Sequence, residues 1–287
     1  MPSSRSSPAA PAEAVRDDVR RALREDVGAG DVSAGLLPGD AHAAAMVVAR
    51  EECVLCGRDW FEEVFRACDE RIAVRWLVAE GGSTTAGEAV CELEGPVRGL
   101  LSGERSGLNF LQLLSAVATQ TRAMVKALEG SRAVLLDTRK TLPGLRQAQK
   151  YAVRVGGGSN HRMGLYDAVL LKENHIAAAG GVRQALQAAR DRGGDLPVTV
   201  EVQGLDELVE ALDAGADWIM LDNFSLERLS AAVRERDRRG RDVILEASGS
   251  IGPDNIAEVA ATGVDRISVG ALTKNVRACD FSMRLVG

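Results

Sequence analysis

Aromatic residues are scarce in this chain, at 3% of 287 residues. Its core must therefore be filled by Val, Leu, Ile and Ala, within an ordinary hydrophobic fraction of 46%. No apolar run approaches the roughly 20 residues that a membrane-spanning helix needs. The opening MPSSRSSPAAPA lacks an apolar h-region, so residues 1–10 read as a disordered lead-in and not as a secretory signal. The five cysteines are an odd number spread along the chain, which fits reduced thiols in a cytoplasmic protein. Cys53-Val54-Leu55-Cys56 has CxxC spacing, but no second pair and no nearby histidine completes a metal site; it reads as a buried strand pair. No GxGxxG and no GxxxxGK[ST] occurs at a strand-helix turn, so dinucleotide and P-loop readings lose support. The net charge of −6 and pI near 5.3 argue against broad nucleic-acid or membrane-surface binding. Lysine is rare too, with only five (126, 140, 150, 172 and 274) among 35 cations.

What is present changes character along the chain. Residues 11–25 place Val15, Val19, Ala22 and Leu23 on one helical face. Residues 27–40 read as loop, 43–49 and 72–78 as strands, 59–68 as a helix, 81–83 as a turn and 89–93 as a short strand. Without strand-helix alternation, residues 11–103 suggest a small α+β domain on an antiparallel sheet. A long helix follows, with Ser102 as its cap and Leu108, Leu111, Leu114, Ala118, Val125 and Leu128 as its apolar stripe. Arg105 then falls in the first turn, an unfavourable end of the helix dipole for a cation. It is either a solvated arginine paired with Glu104 or one held there to meet an anion.

From residue 133 the pattern alternates. Apolar runs at 133–136, 168–171, 198–202, 218–221, 243–247 and 266–269 are separated by helical segments at 143–155, 182–192, 205–213, 225–236 and 253–261. Such βα repeats give parallel strands, in an open doubly wound sheet or an incomplete barrel. Polar residues stand at the C-terminal end of nearly every run: Asp137-Thr138-Arg139-Lys140, Lys172-Glu173-Asn174, Glu201, Asp222-Asn223, Glu246-Ala247-Ser248-Gly249 and Gly270. In a barrel those ends converge on one face, where active sites form, so the incomplete barrel over residues 104–276 is favoured. The tail 277–287 can return to the first domain.

Two kinds of group share that ring. Arg139, Lys140, His161, Arg162 and Lys172 are a basic cluster suited to a ligand with several negative charges. Glu201 and Asp222 are acids on separate strands. Phosphoribosyl transfer needs both, because pyrophosphate departs while positive charge develops on the ribose; carboxylates can bind its hydroxyls, hold Mg²⁺ and offset that charge. Ser248-Gly249-Ser250 and Gly270 leave room for backbone N–H groups to approach a phosphate. Each group also has a plainer reading. His161 and Arg162 follow Gly156-Gly157-Gly158 and suit a solvated loop. Asp222 suits a helix cap, although Asn223 or Ser225 is better placed. His175 suits a core or helix-start position and is left unassigned, and Trp218 suits packing. Glu201 within VTVEV is costly unless paired, which favours function.

These residues also resemble a known family. ERSGLNFLQLLSAVATQT (104–121), DTRKTLPGLRQAQKYAVRVGGGSNHRMGLYDAVLLKENHI (137–176), VEVQGLDEL (200–208), IMLDNF (219–224) and LEASGSI (245–251) are similar, in order, to the quinolinate phosphoribosyltransferases, the carboxylating nicotinate-nucleotide pyrophosphorylases. Ser106-Gly107 stands where Thr-Ala is expected, and Leu142 where Thr is expected; neither removes a charge. The resemblance implies an N-terminal α+β sandwich domain and an incomplete α/β barrel. It implies transfer from phosphoribosyl pyrophosphate to quinolinate with loss of CO₂, in NAD biosynthesis, with Mg²⁺ and no organic cofactor. It implies a cytoplasmic homodimer, or an assembly of dimers, with Arg105 reaching the partner's quinolinate. By position, Arg139, His161, Arg162 and Lys172 would hold the quinolinate carboxylates, Lys140 would serve quinolinate or pyrophosphate, and Thr138 would touch substrate; Lys140, catalytic with Glu201 and Asp222, or Lys172 or a bound water would supply the proton after CO₂ is lost. Glu201 and Asp222 would serve ribose and Mg²⁺, and Ser248, Gly249, Ser250 and Gly270 the 5-phosphate. A related transferase using nicotinate, or one associated with molybdenum transport, would need fewer cations. A non-catalytic anion-binding barrel would gain nothing from Glu201 and Asp222.

Overall fold

The computed structural model describes residues 9–286, so positions 1–8 of the expected lead-in and Gly287 lie outside the described residues. Its elements in chain order begin with α1 (Ala12–Asp26), β1 (His42–Ala49), β2 (Cys53–Val54), α2 (Arg58–Cys68), β3 (Ala73–Trp76), β4 (Ser83–Thr84), β5 (Ala89–Pro96) and α3 (Val97–Ala127). Then come β6 (Val134–Leu136), α4 (Arg146–Gly156), β7 (Val169–Leu171), α5 (Glu173–Ala179), α6 (Val182–Gly193), β8 (Val198–Val202) and α7 (Leu205–Asp213). The last are β9 (Trp218–Asp222), α8 (Leu226–Arg238), β10 (Ile244–Ser248), α9 (Ile256–Ala261), β11 (Arg266–Ser268), α10 (Ala271–Lys274) and β12 (Phe281–Val286). The described residues form two compact units, one of 9–122, 141–157 and 275–286, the other of Ala123–Lys140 and Gly158–Lys274.

The first unit carries a four-stranded antiparallel sheet in the order β12-β1-β5-β3. The tail does return to it, with β12 paired along β1 from Ala44↔Val286 to Ala49↔Phe281. In β1, Ala45, Val47 and Ala49 are fully buried and the residues between them are not, the period-two pattern of a strand with one face on a core. That core takes much of the scarce aromatic content: Phe61 stacks on Phe65 at 4.7 Å and meets Trp76 at 5.4 Å. Cys53 and Cys56 are both buried and free, Cys53 in β2 and Cys56 just beyond it.

The long helix corrects an expectation. It starts at Val97, not after Ser102, and Ser102 Oγ instead donates to Asp31 Oδ2 at 2.8 Å. Gly99, Gly103 and Gly107 argue against helix from propensity alone. Packing overrides them: a Cβ on Gly103 would stand 2.9 Å from the Phe65 ring, and one on Gly107 3.0 Å from it. The Gly at 107 thus seats Phe65 and Phe61. Arg105 sits in the third turn and is exposed, so the argument from an unfavourable dipole end does not hold for it.

The second unit is built on six parallel strands in the order β6-β11-β10-β9-β8-β7. β6 and β7 are the two ends and do not pair with each other, so the barrel is incomplete, as expected. Register sorts the side chains by face. Val200, Val202, Ile219, Leu221, Leu245, Ala247 and Ile267 form one buried apolar face. On the other lie Thr199 and Glu201 of β8, Trp218, Met220 and Asp222 of β9, Glu246 and Ser248 of β10, and Arg266 and Ser268 of β11. A sheet with a polar second face has its chemistry on that side.

Candidate active site

Parallel register brings the predicted residues into neighbouring positions at the strand ends. Leu171 pairs with Val200, which sets Lys172 beside Glu201. Lys172 Nζ donates to Glu201 Oε2 at 3.0 Å, and the Glu201 side chain is only 12% exposed. The carboxylate inside the apolar strand is therefore paired, as its burial demands. His175 occupies a helix-start position: its Nδ1 accepts the Lys172 backbone N–H at 3.0 Å, and its own N–H donates to the Lys172 carbonyl at 2.8 Å. This fastens the backbone that carries Lys172.

On the next strands, Asp222 pairs in register with Ser248, and Ser248 with Ser268. The helix-cap alternative for Asp222 is taken by Ser225, whose Oγ accepts the Arg228 N–H at 3.3 Å. Asp222 Oδ2 instead accepts Asn223 Nδ2 at 2.9 Å. Gly249 has φ +102, which only glycine adopts without strain, and lies against Asn223. Gly270 lies against the β6 loop: a Cβ there would stand 2.9 Å from Lys140 Cδ and 3.4 Å from Thr138 Oγ1. Thr138 Oγ1 accepts the Lys140 N–H at 3.0 Å, and the Lys140 carbonyl accepts Thr273 Oγ1 at 2.8 Å.

Residues 158–168 form an ordered loop. Fully buried Asp137 accepts Asn160 Nδ2 at 2.5 Å and the His161 N–H at 2.9 Å, while Asp167 accepts the N–H groups of Met163 and Gly164 at 2.7 and 2.9 Å. Arg162 is held partly buried, with Nη1 donating to the Ala168 carbonyl at 3.3 Å. Burial, and then the like charge of Arg139, pull its guanidinium pKa below the usual arginine range. A guanidinium whose charge is disfavoured by burial and by a like neighbour marks a place where an anion is welcome.

His161, beside Arg162, has its ring among protein groups. Its Nδ1 accepts the Arg162 N–H at 2.8 Å, its Nε2 faces Glu246 Oε2 at 3.5 Å, and its ring lies 5.3 Å from that of Trp218. Both ring nitrogens face protein. Glu246 is fully buried and also accepts Trp218 Nε1 at 2.8 Å. From sequence, Glu246 stands in the strand-end ring without a role of its own, and Trp218 suits packing. The available signal was a carboxylate two residues before Ser248, on the same strand face. Arg105 belongs to the other unit, on α3.

Two family models account for nearly the whole chain. Residues 31–115 match the quinolinate phosphoribosyl transferase N-terminal domain and residues 117–284 its C-terminal domain. The chain belongs to the quinolinate phosphoribosyltransferase family. As a member it is a phosphoribosyl-transferring enzyme of NAD biosynthesis, in line with its motifs. It is 43% identical to the nicotinate-nucleotide pyrophosphorylase [carboxylating] of Mycobacterium leprae, over 95% of this chain and 98% of that protein. It is 38% identical to the human protein of the same name, over 92% of this chain and 89% of that one. Among solved structures, the nicotinate-nucleotide pyrophosphorylase from Francisella tularensis superposes with a TM-score of 0.92 at 46% identity, covering 97% of this chain and 98% of that one.

Proposed function

We propose that this family member transfers the phosphoribosyl group of phosphoribosyl pyrophosphate to quinolinate and decarboxylates the product, releasing nicotinate mononucleotide, pyrophosphate and CO₂. The observation that carries the reading is one rim of mixed charge, with Lys172 on Glu201 at one strand pair and Asp222 beside the Ser248-Gly249-Ser250 loop at the next. Arg139, Arg162 and Lys172 take the two carboxylates of the diacid. Lys140 and Thr138, beside Gly270, take quinolinate or pyrophosphate. His161, backed by Glu246, orders the Arg162 loop from within.

The pyridine nitrogen attacks C1 of the ribose and the C1–O bond to pyrophosphate breaks. Glu201 and Asp222 stabilise the positive charge that develops between those events. The ring nitrogen is then a cation, so the electron pair left at C2 when CO₂ departs is stabilised by the adjacent charge before it is protonated. Mg²⁺ fits the donor set. Among the described residues no group of three or more His, Cys, Asp or Glu could cage a metal, and Mg²⁺ characteristically takes one or two carboxylates together with substrate phosphates. Glu201 and Asp222 would hold it, and it would neutralise the departing pyrophosphate.

We further propose a cytoplasmic homodimer, or an assembly of dimers, in which exposed Arg105 completes the quinolinate site of the partner. Among the described residues no helix is long and apolar enough to cross a membrane. The deciding experiment incubates purified protein with quinolinate, phosphoribosyl pyrophosphate and Mg²⁺. CO₂ and nicotinate mononucleotide should appear one for one; turnover of nicotinate with none of quinolinate would defeat the assignment.

A further inference from the structure

Among the described residues, two that are not glycine have left-handed backbone: Asn223 at φ 54 and Ser250 at φ 46. They stand just past the ends of the adjacent strands β9 and β10 and line the same cavity of about 350 Å³. Such conformations cost energy, and they persist where the surroundings over-determine them.

Asn223 is over-determined by three contacts. Its backbone N–H donates to the Ser248 carbonyl at 2.8 Å, tying the end of β9 to the end of β10. Its side-chain Nδ2 donates to Asp222 Oδ2 at 2.9 Å. A carboxylate only accepts, so this contact fixes which end of the amide is nitrogen. The oxygen is thereby turned toward Gly249, where a Cβ would collide with it and stand 3.0 Å from the Asn223 nitrogen. Helix capping does not explain the residue, because Ser225 caps α8.

We propose that Asn223 is a positioning residue that makes the Asp222 carboxylate and the Ser248-Gly249-Ser250 backbone one rigid piece. It rests on the reading that Asp222 meets the ribose and that the loop meets the 5-phosphate. Those two groups of phosphoribosyl pyrophosphate are joined through C4, C5 and O5 of the ribose, so their separation is confined to a narrow range. A clamp between their receptors sets affinity for that substrate and for any ribose 5-phosphate, and leaves quinolinate alone. The left-handed backbone is what lets a single side chain reach both. Asparagine is the residue type that tolerates such a backbone while offering a donor and an acceptor.

The test compares Asn223→Gly and Asn223→Asp with the unaltered enzyme. Glycine relieves the backbone and deletes the amide. Aspartate keeps the shape, deletes the donor, and sets a second carboxylate against Asp222. Both should bind ribose 5-phosphate, titrated calorimetrically without metal, at least tenfold more weakly. Both should raise KM for phosphoribosyl pyrophosphate at least tenfold, with KM for quinolinate within twofold. Asn223→Gly should unfold at or above the temperature of the unaltered enzyme, which separates positioning from simple damage. Ribose 5-phosphate affinity within twofold in both variants would overturn the proposal, as would equal weakening of both substrates with a lowered unfolding temperature. Asp222→Asn serves as the control. If it too leaves ribose 5-phosphate binding unchanged, the assignment of this rim to that substrate has failed; if it weakens binding and the Asn223 variants do not, only the clamp has failed.

Discussion

The Lys172–Glu201 pair allows the catalytic reading to be separated from a structural one. At 3.0 Å, with an effective dielectric constant near 20, the bare attraction would be about 5 kcal/mol. The Lys172 side chain is 49% exposed, however, and ion pairs of that exposure contribute about 1 kcal/mol or less to folding. Glu201→Gln, which leaves the half-exposed Lys172 to water, should therefore lower the urea-unfolding free energy by only about 1 kcal/mol, and Lys172→Met, which leaves the mostly buried Glu201 carboxylate without its cation, by about 1–3 kcal/mol. Turnover should respond far more. In the proposed mechanism Lys172 leaves Glu201 for a quinolinate carboxylate, and Glu201 faces the developing ribosyl cation. Losing one such contact is worth about 3–4 kcal/mol, or 10²–10³ in kcat. The assay is steady-state release of CO₂ from carboxyl-labelled quinolinate, beside urea unfolding of the same preparations. If both single variants kept kcat/KM within tenfold of the unaltered enzyme, the pair would be a surface ornament of the fold and the mechanism proposed above would be wrong.

Further outcomes follow from other contacts. Gly270→Ala should fold normally, because its Cβ meets the flexible Lys140 side chain, but should lose activity as Lys140 and Thr138 shift; circular dichroism and kcat measure the two. Gly103→Ala pushes a Cβ into the Phe65 ring and should cost about 1–3 kcal/mol of stability with KM values unchanged, seen in thermal melts and steady-state kinetics. Mixed dimers of Arg105→Ala and Lys172→Ala subunits, each inactive alone, should regain partial activity; none in verified mixed dimers would place Arg105's action within its own chain. Chelating the metal should abolish turnover and leave quinolinate binding measurable by calorimetry, with activity restored by Mg²⁺.

The strand-helix alternation was readable because parallel strands covered on both faces read as apolar runs. The charged ends were readable because those runs stop at Lys172, Asp222 and Ser248. Glu201 stood out because a carboxylate in an apolar strand requires a partner, and it has one. The start of α3 was hidden: Gly99, Gly103 and Gly107 speak against helix locally, and only the Phe65 and Phe61 rings explain them. The roles of His161 and Glu246 were hidden as well. Whether a histidine faces a ligand or the interior depends on a buried carboxylate 85 positions later, and on Trp218 beside it. Asn223 looked like one of several possible caps, and its left-handed backbone is visible only once β9 and β10 are paired.

The last strand has a consequence for synthesis. β12 covers one side of β1, yet it leaves the ribosome long after β1 itself. At ordinary translation rates that interval is on the order of tens of seconds. Throughout it, β1 presents unpaired peptide groups along a hydrophobic ribbon, the kind of edge that recruits foreign strands. The nascent polypeptide is thus most prone to aggregation while its transferase unit is being made, and a truncated message would leave that edge open for good.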